Sequence, residues 1–314
     1  MKTALIIALI CLIVGALIVG VGFVIAKKNP PKVVTESYSY SIDQLPEKIN
    51  IDVISSHVEI CVIEGNQWRV ECKDTDKIVH TVELVDGILT IKQKDTRKWY
   101  ERIFNFFPLE LGVTLYLPAQ AYDSLDIHST SGDIKVPEGY TFANANIKNT
   151  SGDITVSCSV GGNLNVECTS GDISVSGSVG NDLKIVCTSG DIGVTGGVNG
   201  KLEISNTSGD IMLKNATPTS VTIFNTSGDI GLQNVISGGK CEIDNTSGSI
   251  HFDRCDASSF DLKTTSGDIQ ATILSGKAFD CSTTSGDIEV PQGTTGGLFK
   301  ADCTTGDIRV MIVE

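Results

Sequence analysis

An aspartate that returns at a fixed spacing is the main chemical feature of this sequence. It lies in the phrase Thr-Ser-Gly-Asp-Ile or a close variant. Its ten positions are Asp133, Asp153, Asp172, Asp191, Asp210, Asp229, Ser249, Asp268, Asp287 and Asp307, at intervals of 19 or 20 residues. Carboxylate oxygens are the ligands that Ca²⁺ prefers, so a ladder of them could bind cations. Short oxygen acceptors can equally bond the backbone groups that a tight turn leaves unpaired.

The sequence favours turn capping over metal binding. Ser249 replaces Asp in one copy and keeps a short oxygen acceptor but no charge. Calcium-binding β-rolls use a shorter Gly-Gly-x-Gly-x-Asp repeat, which this sequence lacks. Asp172, Asp191, Asp210 and Asp229 therefore stand as weak candidates for a calcium site, and no other cofactor is expected.

Apolar columns flank the phrase and indicate the fold. Apolar residues stand eight and six positions before the Asp, as at Leu164 and Val166, and one and three positions after it, as at Ile173 and Val175. Alternation on both sides of a Gly turn predicts strand, turn, strand. Such short strands bury a core only when coils stack. We predict an all-β, single-stacked β-solenoid of about ten coils over residues 125–314, about 45 Å long.

The residues before the repeats divide into two regions. Residues 4–26 carry no charge and precede Lys27 and Lys28. As a helix they would extend about 35 Å, enough for a hydrocarbon core of about 30 Å. We predict a transmembrane anchor and linker in residues 1–32, with a cleaved signal peptide as the alternative. Residues 33–124 are predicted to be an irregular β region that caps the solenoid.

Local patterns give further predictions within the cap. Residues 49–60 look like a worn repeat and are predicted to form the first coil. Residues 58–62 and 68–72 are predicted to pair as a hairpin, and residues 88–91 and 112–117 to form strands. An aromatic segment is predicted either to cover the end of the core or to contact a membrane or partner; it contains Trp99, Tyr100, Phe104, Phe106 and Phe107.

Charge and cysteine usage limit the partners and the compartment. The whole chain has a formal net charge of −14, of which its first 32 residues contribute +4, so the remainder carries −18. Nucleic acid is therefore not an expected partner, because binding it depends on basic patches. Of the ten cysteines, Cys168, Cys187 and Cys303 stand where other coils have Asn or Thr. They are predicted to act as small fillers, although a Cys168–Cys187 disulfide is geometrically conceivable.

The coils carry no sign of an enzyme. Polysaccharide-processing β-helices need clustered acid and base groups and loops that break the period. Here the period hardly varies, and the sequence has only four His. We predict a non-enzymatic protein. The alternative is a Ca²⁺-responsive or carbohydrate-binding surface module, and a polysaccharide-processing enzyme is the least favoured function.

The end of the sequence suggests an association site. The last predicted strand, residues 308–313, shows no polar cap that would cover the core, and an uncovered strand edge can pair with another chain. We therefore hypothesise that the C-terminal end docks onto a second copy end to end or onto a partner. An envelope protein or a polysaccharide is an expected partner of the protein.

The apolar N-terminus, the step at Leu115-Tyr116-Leu117-Pro118 and the Thr-Ser-Gly-Asp-Ile coils together resemble the bacterial putative-adhesin family of unknown function, which includes LiaG-like proteins. The resemblance covers about residues 40–314. It implies a β-solenoid held at the outer face of the cell membrane, in some members linked to envelope stress, and no catalytic residues. Together with the acidity, it favours an extracytoplasmic location for the repeats.

Overall fold

The computed structural model describes residues 32–64, 67–99, 101, 111–292 and 295–313. In this part of the chain the fold is two facing 14-stranded sheets, with one short 3-10 helix at Ile42–Gln44. The predicted all-β solenoid is confirmed. No helix among the described residues is long and apolar enough to span a membrane. The predicted anchor in residues 1–32 lies almost wholly outside the described residues.

Each repeat forms one strand on either side of its Gly-Asp turn, because apolar and polar residues alternate there. The strands before the turns are β8 (Ala121–Ser131), β10 (Thr141–Ser151), β13 (Leu164–Ser170), β15 (Leu183–Ser189), β17 (Lys201–Ser208), β19 (Ser220–Ser227), β21 (Lys240–Ser247), β23 (Ser259–Ser266), β25 (Ala278–Ser285) and β27 (Leu298–Thr305). These strands lie in sheet B.

The strands after the turns lie in the opposite sheet, sheet A. They are β9 (Ile134–Val136), β11 (Ile154–Val156), β14 (Ile173–Val175), β16 (Ile192–Val194), β18 (Ile211–Lys214), β20 (Ile230–Gln233), β22 (Ile250–Cys255), β24 (Ile269–Ile273), β26 (Ile288–Glu289) and β28 (Ile308–Ile312). A further short strand, β12 (Ser159–Val160), pairs with β10 in sheet B.

Neighbouring coils pair in parallel and in register, so each apolar column forms a continuous stack. Leu164 pairs with Leu183 and Val166 with Ile185 in sheet B, while Ile173 pairs with Ile192 in sheet A. The side chains of these columns are buried between the sheets. Stacking in register thus gives one shared core, as the alternation predicts.

The turn glycine determines how closely the coils stack. Gly190 has a φ of +140°, a conformation that L side chains rarely adopt. A Cβ at Gly190 would lie 2.1 Å from the carbonyl oxygen of Gly171 in the preceding coil. The same close approach recurs along the column, for example at Gly209 and Gly228. A side chain at this position would therefore push two coils apart.

The region before the repeats caps one end of the core. Its strands are β1 (Val34–Ser41), β2 (Lys48–Ser55), β3 (His57–Ile63), β4 (Gln67–Asp74), β5 (Ile78–Val85), β6 (Ile88–Asp95) and β7 (Gly112–Pro118). The predicted first coil is confirmed, because β2 pairs in parallel with β8, and β3 with β9. The predicted strands at 88–91 and 112–117 are β6 and β7. Stacked rings of Tyr40 and Trp68, 4.4 Å apart, lie within the cap.

The predicted hairpin between residues 58–62 and 68–72 is wrong. Both strands exist as β3 and β4, but β7 lies between them, parallel to β3 and antiparallel to β4. Strand β7 contributes the fully buried Val113, Leu115 and Leu117. Its insertion therefore extends the core by one layer, which a direct pairing of β3 with β4 would not do.

The predicted exposure of the C-terminal strand is also wrong. Strand β28 pairs with β24 on one side and β26 on the other, so the last coil lies between the two coils that precede it in sequence. Pro291 offers a reason: it has no backbone N–H, and β26 contains only two residues, whereas β28 matches β24 over five. The outermost position passes to the coil of β25 and β26, where Ile288 is 43% exposed.

A substitution at the turn glycine tests this account of stacking. We expect Gly190→Ala to lower the free energy of unfolding by more than about 2 kcal/mol, because it adds both a steric clash and an unfavourable φ. Gly197→Ala is the matched control, since a Cβ there meets nothing within 4 Å and its φ is not positive. It should change stability by less than about 0.5 kcal/mol. Denaturant unfolding of the two purified full-length variants makes the comparison, and equal losses would contradict the account.

Candidate functional site

The Asp column forms a hydrogen-bonded ladder along the turns. The backbone N–H of Asp191 donates to Oδ1 of Asp172 at 2.8 Å, and the N–H of Asp210 donates to Oδ1 of Asp191 at 2.8 Å. Ser249 takes part as well, because its hydroxyl oxygen accepts from the N–H of Asp268 at 3.2 Å. In the first coil His57 replaces Asp, and its Nδ1 accepts from the N–H of Asp133 at 3.1 Å. These contacts agree with turn capping.

The ladder also offsets the repulsion between its own charges. Carboxylates about 4.8 Å apart repel by roughly 0.9 kcal/mol at the dielectric constant of water. Each backbone N–H that donates to a carboxylate makes a charge-assisted hydrogen bond, which is stronger than a neutral one. Among the described residues, no three His, Cys, Asp or Glu side chains are grouped to hold a metal ion. The calcium candidates Asp172, Asp191, Asp210 and Asp229 each contribute one carboxylate per coil.

A second row of side chains lies one position before Thr and faces inward beneath the turns. We call it the inner row: Ser129, Asn149, Cys168, Cys187, Asn206, Asn225, Asn245, Thr264, Thr283 and Cys303 in the sequence order of the coils. Nδ2 of Asn149 donates to the carbonyl oxygens of Gly132 at 2.8 Å and Gly152 at 3.1 Å. Thr264 donates to the carbonyl of Gly248 at 3.0 Å. The inner row therefore satisfies the glycine carbonyls that the sharp turns expose to the core.

A groove runs along the outer face of sheet B above the inner row. One wall is the outward row five residues before each Asp, which includes Lys148, Val186 and Phe224, and the other is the row of Thr residues three before it. Two adjoining hollows of 480 and 350 Å³ compose the groove and share Val186 and Thr188. The groove extends from Asp52 to Asp244, eight positions of the outward row and thus about 34 Å.

The groove changes character along its length. Near the cap it is charged, with Asp52, His128 and an ion pair between Lys148 Nζ and Glu167 Oε1 at 3.0 Å. Farther from the cap it becomes apolar at Val186 and at Phe224, whose side chain is 47% exposed. Thr residues line the other wall from Thr130 to Thr246. Such a surface can contact an extended ligand through hydroxyls and apolar faces together.

A buried polar relay joins the cap to the first coil. Oγ of Ser56 lies 3.0 Å from Nε2 of His80, and Nδ1 of His80 lies 2.5 Å from Oδ1 of Asp74. Gln93 donates from Nε2 to Ser56 Oγ at 2.8 Å, while its Oε1 accepts from the backbone N–H groups of Ile54 and Ser55. The carboxylate of Asp74 accepts from Nδ1–H of His80, and Oγ of Ser56 and Nε2 of His80 form the next hydrogen bond of the relay.

The relay has the order of a serine-hydrolase triad but not its accessibility. A nucleophile must reach a substrate, and Ser56 is 1% exposed. We therefore interpret the relay as a clasp that fastens β5 and β6 to the first coil. Sequence reasoning missed it, because its members come from four separated segments without a common motif. The only available signal was a serine at the turn-glycine position of the first coil.

The structure describes only one of the five aromatic residues predicted to make a membrane or partner contact. Trp99 is 71% exposed and follows the end of β6. Glu101 of the same segment forms an ion pair with Lys77 in the cap. Tyr100, Phe104, Phe106 and Phe107 lie outside the described residues, so the two functions predicted for this segment both stay predictions.

The fold and the groove define a class of protein: a parallel β-solenoid with a hydrogen-bonded Asp ladder and a groove along the outer face of one sheet. The sequence matches the family described as Toastrack DUF4097 over residues 46–236 and 219–314. The chain therefore belongs to the Toastrack DUF4097 family. This match confirms the resemblance that the repeated phrase indicated.

Several solved structures are similar to the chain over most of its length. One, described as a putative lipid binding protein from Parabacteroides distasonis, is 15% identical, with a TM-score of 0.44. The match covers 87% of this chain and 96% of the chain of that protein. A putative adhesin from Bacteroides fragilis is 13% identical, with a TM-score of 0.34, and the match covers 89% of this chain and 97% of the adhesin chain. A putative adhesin from Parabacteroides merdae is 17% identical, with a TM-score of 0.29, and the match covers 89% of this chain and 96% of the adhesin chain. No curated protein matches the chain.

The Asp ladder can be tested by separating its charge from its acceptor. We expect Asp191→Ala to lower the free energy of unfolding by about 1–2 kcal/mol, because the N–H of Asp210 loses its acceptor. Asp191→Asn keeps an acceptor oxygen and removes a charge, so its stability should stay within about 0.5 kcal/mol of the original. Thermal unfolding of the full-length proteins, with chelator and then with millimolar Ca²⁺, gives both readouts.

If Ca²⁺ bound to the Asp ladder, the unfolding temperatures of the original chain and of Asp191→Asn would respond differently to added Ca²⁺. A metal that binds the folded chain raises its unfolding temperature, and the Asn variant would lose that rise. We expect no rise for the original chain. A rise abolished in Asp191→Asn would contradict the turn-capping interpretation and make the ladder a cation site.

Proposed function

We propose that this chain is a non-catalytic, membrane-anchored envelope protein that binds an extended, uncharged polysaccharide in the sheet B groove. The observation that carries this proposal is the groove itself, about 34 Å long, with Thr hydroxyls on one wall and exposed apolar side chains on the other. A polysaccharide presents the matching chemistry, since its hydroxyls pair with Thr and its sugar faces pack on Val186 and Phe224. Binding along the groove would serve adhesion or scaffolding in the cell envelope.

The charge of the chain supports an uncharged ligand. The part after residue 32 carries −18, and a field of that sign repels strongly anionic polymers. Asp52, Glu167 and Asp244 bring part of this charge to the groove itself. Lipid surfaces rich in anionic headgroups are disfavoured for the same reason.

The proposed location rests on the N-terminal apolar segment and on family membership. The anchor would hold the solenoid at the outer face of the membrane, where polysaccharide is available, and a link to envelope stress belongs to the same proposal. Protease added to intact cells tests the orientation. An outward solenoid is digested under these conditions, whereas digestion that requires cell lysis would contradict the proposal.

Replacing the most exposed aromatic residue of the groove tests the binding function. We expect Phe224→Ser to weaken the retention of the full-length protein on an insoluble N-acetylglucosamine polymer or an uncharged glucan by about tenfold, because it removes a platform for the sugar face. Ser is the residue that the same row has at Ser205, so the coil should tolerate it. Co-sedimentation with each polymer measures the change.

Met212→Ser is the matched control. Met212 is 42% exposed, similar to Phe224, but lies on the outer face of sheet A, away from the groove. Its replacement should leave retention unchanged. If neither polymer retains the original chain, or if both variants behave alike, the groove does not bind polysaccharide.

A further inference from the structure

Two cysteines occupy consecutive positions of the inner row at the middle of the sheet B groove. Cys168 on β13 pairs directly with Cys187 on β15. Parallel strands lie about 4.8 Å apart, which falls within the Cα–Cα range of about 4.4–6.8 Å found in disulfides. Within the described part of the chain, no other strand pairing places two cysteines opposite each other. Both residues are free cysteines in this structure.

The two thiols interact with each other, which changes their acidity. Interaction with Cys168 lowers the pKa of Cys187 below the usual value for a thiol, and the same interaction raises the pKa of Cys168. The pair therefore loses its first proton more readily than an isolated thiol, and its second proton less readily. By contrast, burial raises the pKa of Cys158 to about 12. A thiolate is the reactive form of cysteine, so reactivity should concentrate at the pair.

Oxidation of these two thiols would remove only weak hydrogen bonds from the turns. Sγ of Cys168 lies 3.7 Å from the carbonyl oxygen of Gly152, and Sγ of Cys187 lies 3.8 Å from that of Gly171. Nδ2 of Asn149, in the adjacent coil, lies 2.8 Å from its glycine carbonyl. Of the hydrogen bonds that hold the turns, loss of the two thiol protons would remove only these long, weak contacts, while Asn149 and Asn206 hold the turns on either side.

Only a small oxidant could reach the two sulfurs, because both side chains face inward beneath the floor of the groove. Cys168 lines the first hollow and Cys187 lines the second, next to the shared residues Val186 and Thr188. Their exposed fractions are 5% and 3%, which suits a molecule of the size of water or peroxide. Larger disulfide reagents would meet the groove walls first.

We propose that Cys168 and Cys187 form a redox modification site, a dithiol that a peroxide converts into a disulfide joining two consecutive coils. The Cys187 thiolate attacks one oxygen of hydrogen peroxide, the O–O bond breaks, and a sulfenic acid forms. The other oxygen leaves as hydroxide, which takes up the proton that Cys187 had released and becomes water. The sulfur of Cys168 then displaces the sulfenic hydroxyl, which leaves as a second water. The two thiols together lose two electrons, and these electrons reduce the peroxide.

The disulfide would cross-link two consecutive coils at the point where the two hollows of the groove meet. It closes a loop between residues 19 positions apart and links β13 covalently to β15. A cross-link of this kind restricts the unfolded chain and raises the unfolding temperature. A thiol reductant would reverse the change, so the stiffness of the groove floor would follow the redox state of its surroundings.

Mass spectrometry of the purified full-length chain tests this inference. Trypsin cleaves after Lys184, so Cys168 and Cys187 fall in separate peptides unless a disulfide links them. After brief exposure to hydrogen peroxide at neutral pH, we expect the linked peptides to form at least about tenfold faster than any other cysteine is oxidised. Their rate of formation should rise with pH, and at a lower pH than for an ordinary thiol, as the thiolate of Cys187 forms. The oxidised chain should unfold at a higher temperature than the reduced one.

The inner row supplies matched variants. Cys168→Asn and Cys187→Asn introduce the residue that neighbouring coils carry, and each should abolish the linked peptides and the rise in unfolding temperature. Cys303→Asn changes a lone cysteine of the same row, which faces Thr264 and Thr283, and should retain both effects. Circular dichroism verifies that each variant folds. Absence of linked peptides in the folded original chain, or an equal unfolding temperature before and after oxidation, would overturn the inference without reference to polysaccharide binding.

Discussion

The close approach of successive turns is the constraint on which the structure depends. At Gly190 the backbone comes so near to the carbonyl of Gly171 that no Cβ fits between them. This contact places each coil directly on the preceding one, and parallel pairing in register follows from it. The apolar columns then stack without interruption, and the core becomes one continuous layer. A single glycine position thus connects the repeat period, the strand register and the burial of the core.

Stacking in register also explains why most polar side chains of the turns serve the backbone. Because each turn lies above another, the carboxylate of Asp172 reaches the N–H of Asp191 in the next coil, and the amide of Asn149 reaches glycine carbonyls in two coils. The side chains whose types suggest metal binding or catalysis are thus used for hydrogen bonds to the backbone of the turns. Val186 and Phe224, on the outer face of sheet B, make no such hydrogen bonds to the turns, and our proposal places ligand binding there.

The two ends of the solenoid show how the repeat is stopped. At one end, Ser56 takes the place of the turn glycine, and its hydroxyl enters a relay with His80 and Gln93 that fastens the cap. At the other end, Pro291 follows a strand of only two residues, and that coil lies outermost. Each end therefore arises from a local departure from the repeated phrase. The coils between them follow the phrase closely and are regular for that reason.

The sequence by itself determined the repeat, the strand–turn–strand unit, the buried columns and the first coil at residues 49–60, because each follows from short-range alternation and from the glycine turn. It also pointed to the Asp column and to turn capping. Only the tertiary structure decided the stacking order of the last two coils, the insertion of β7 between β3 and β4, the buried relay and the groove. The physical reason is that coils with matching columns are nearly interchangeable as neighbours. The periodicity of the sequence therefore predicts that the coils stack, but it does not predict the order in which they stack.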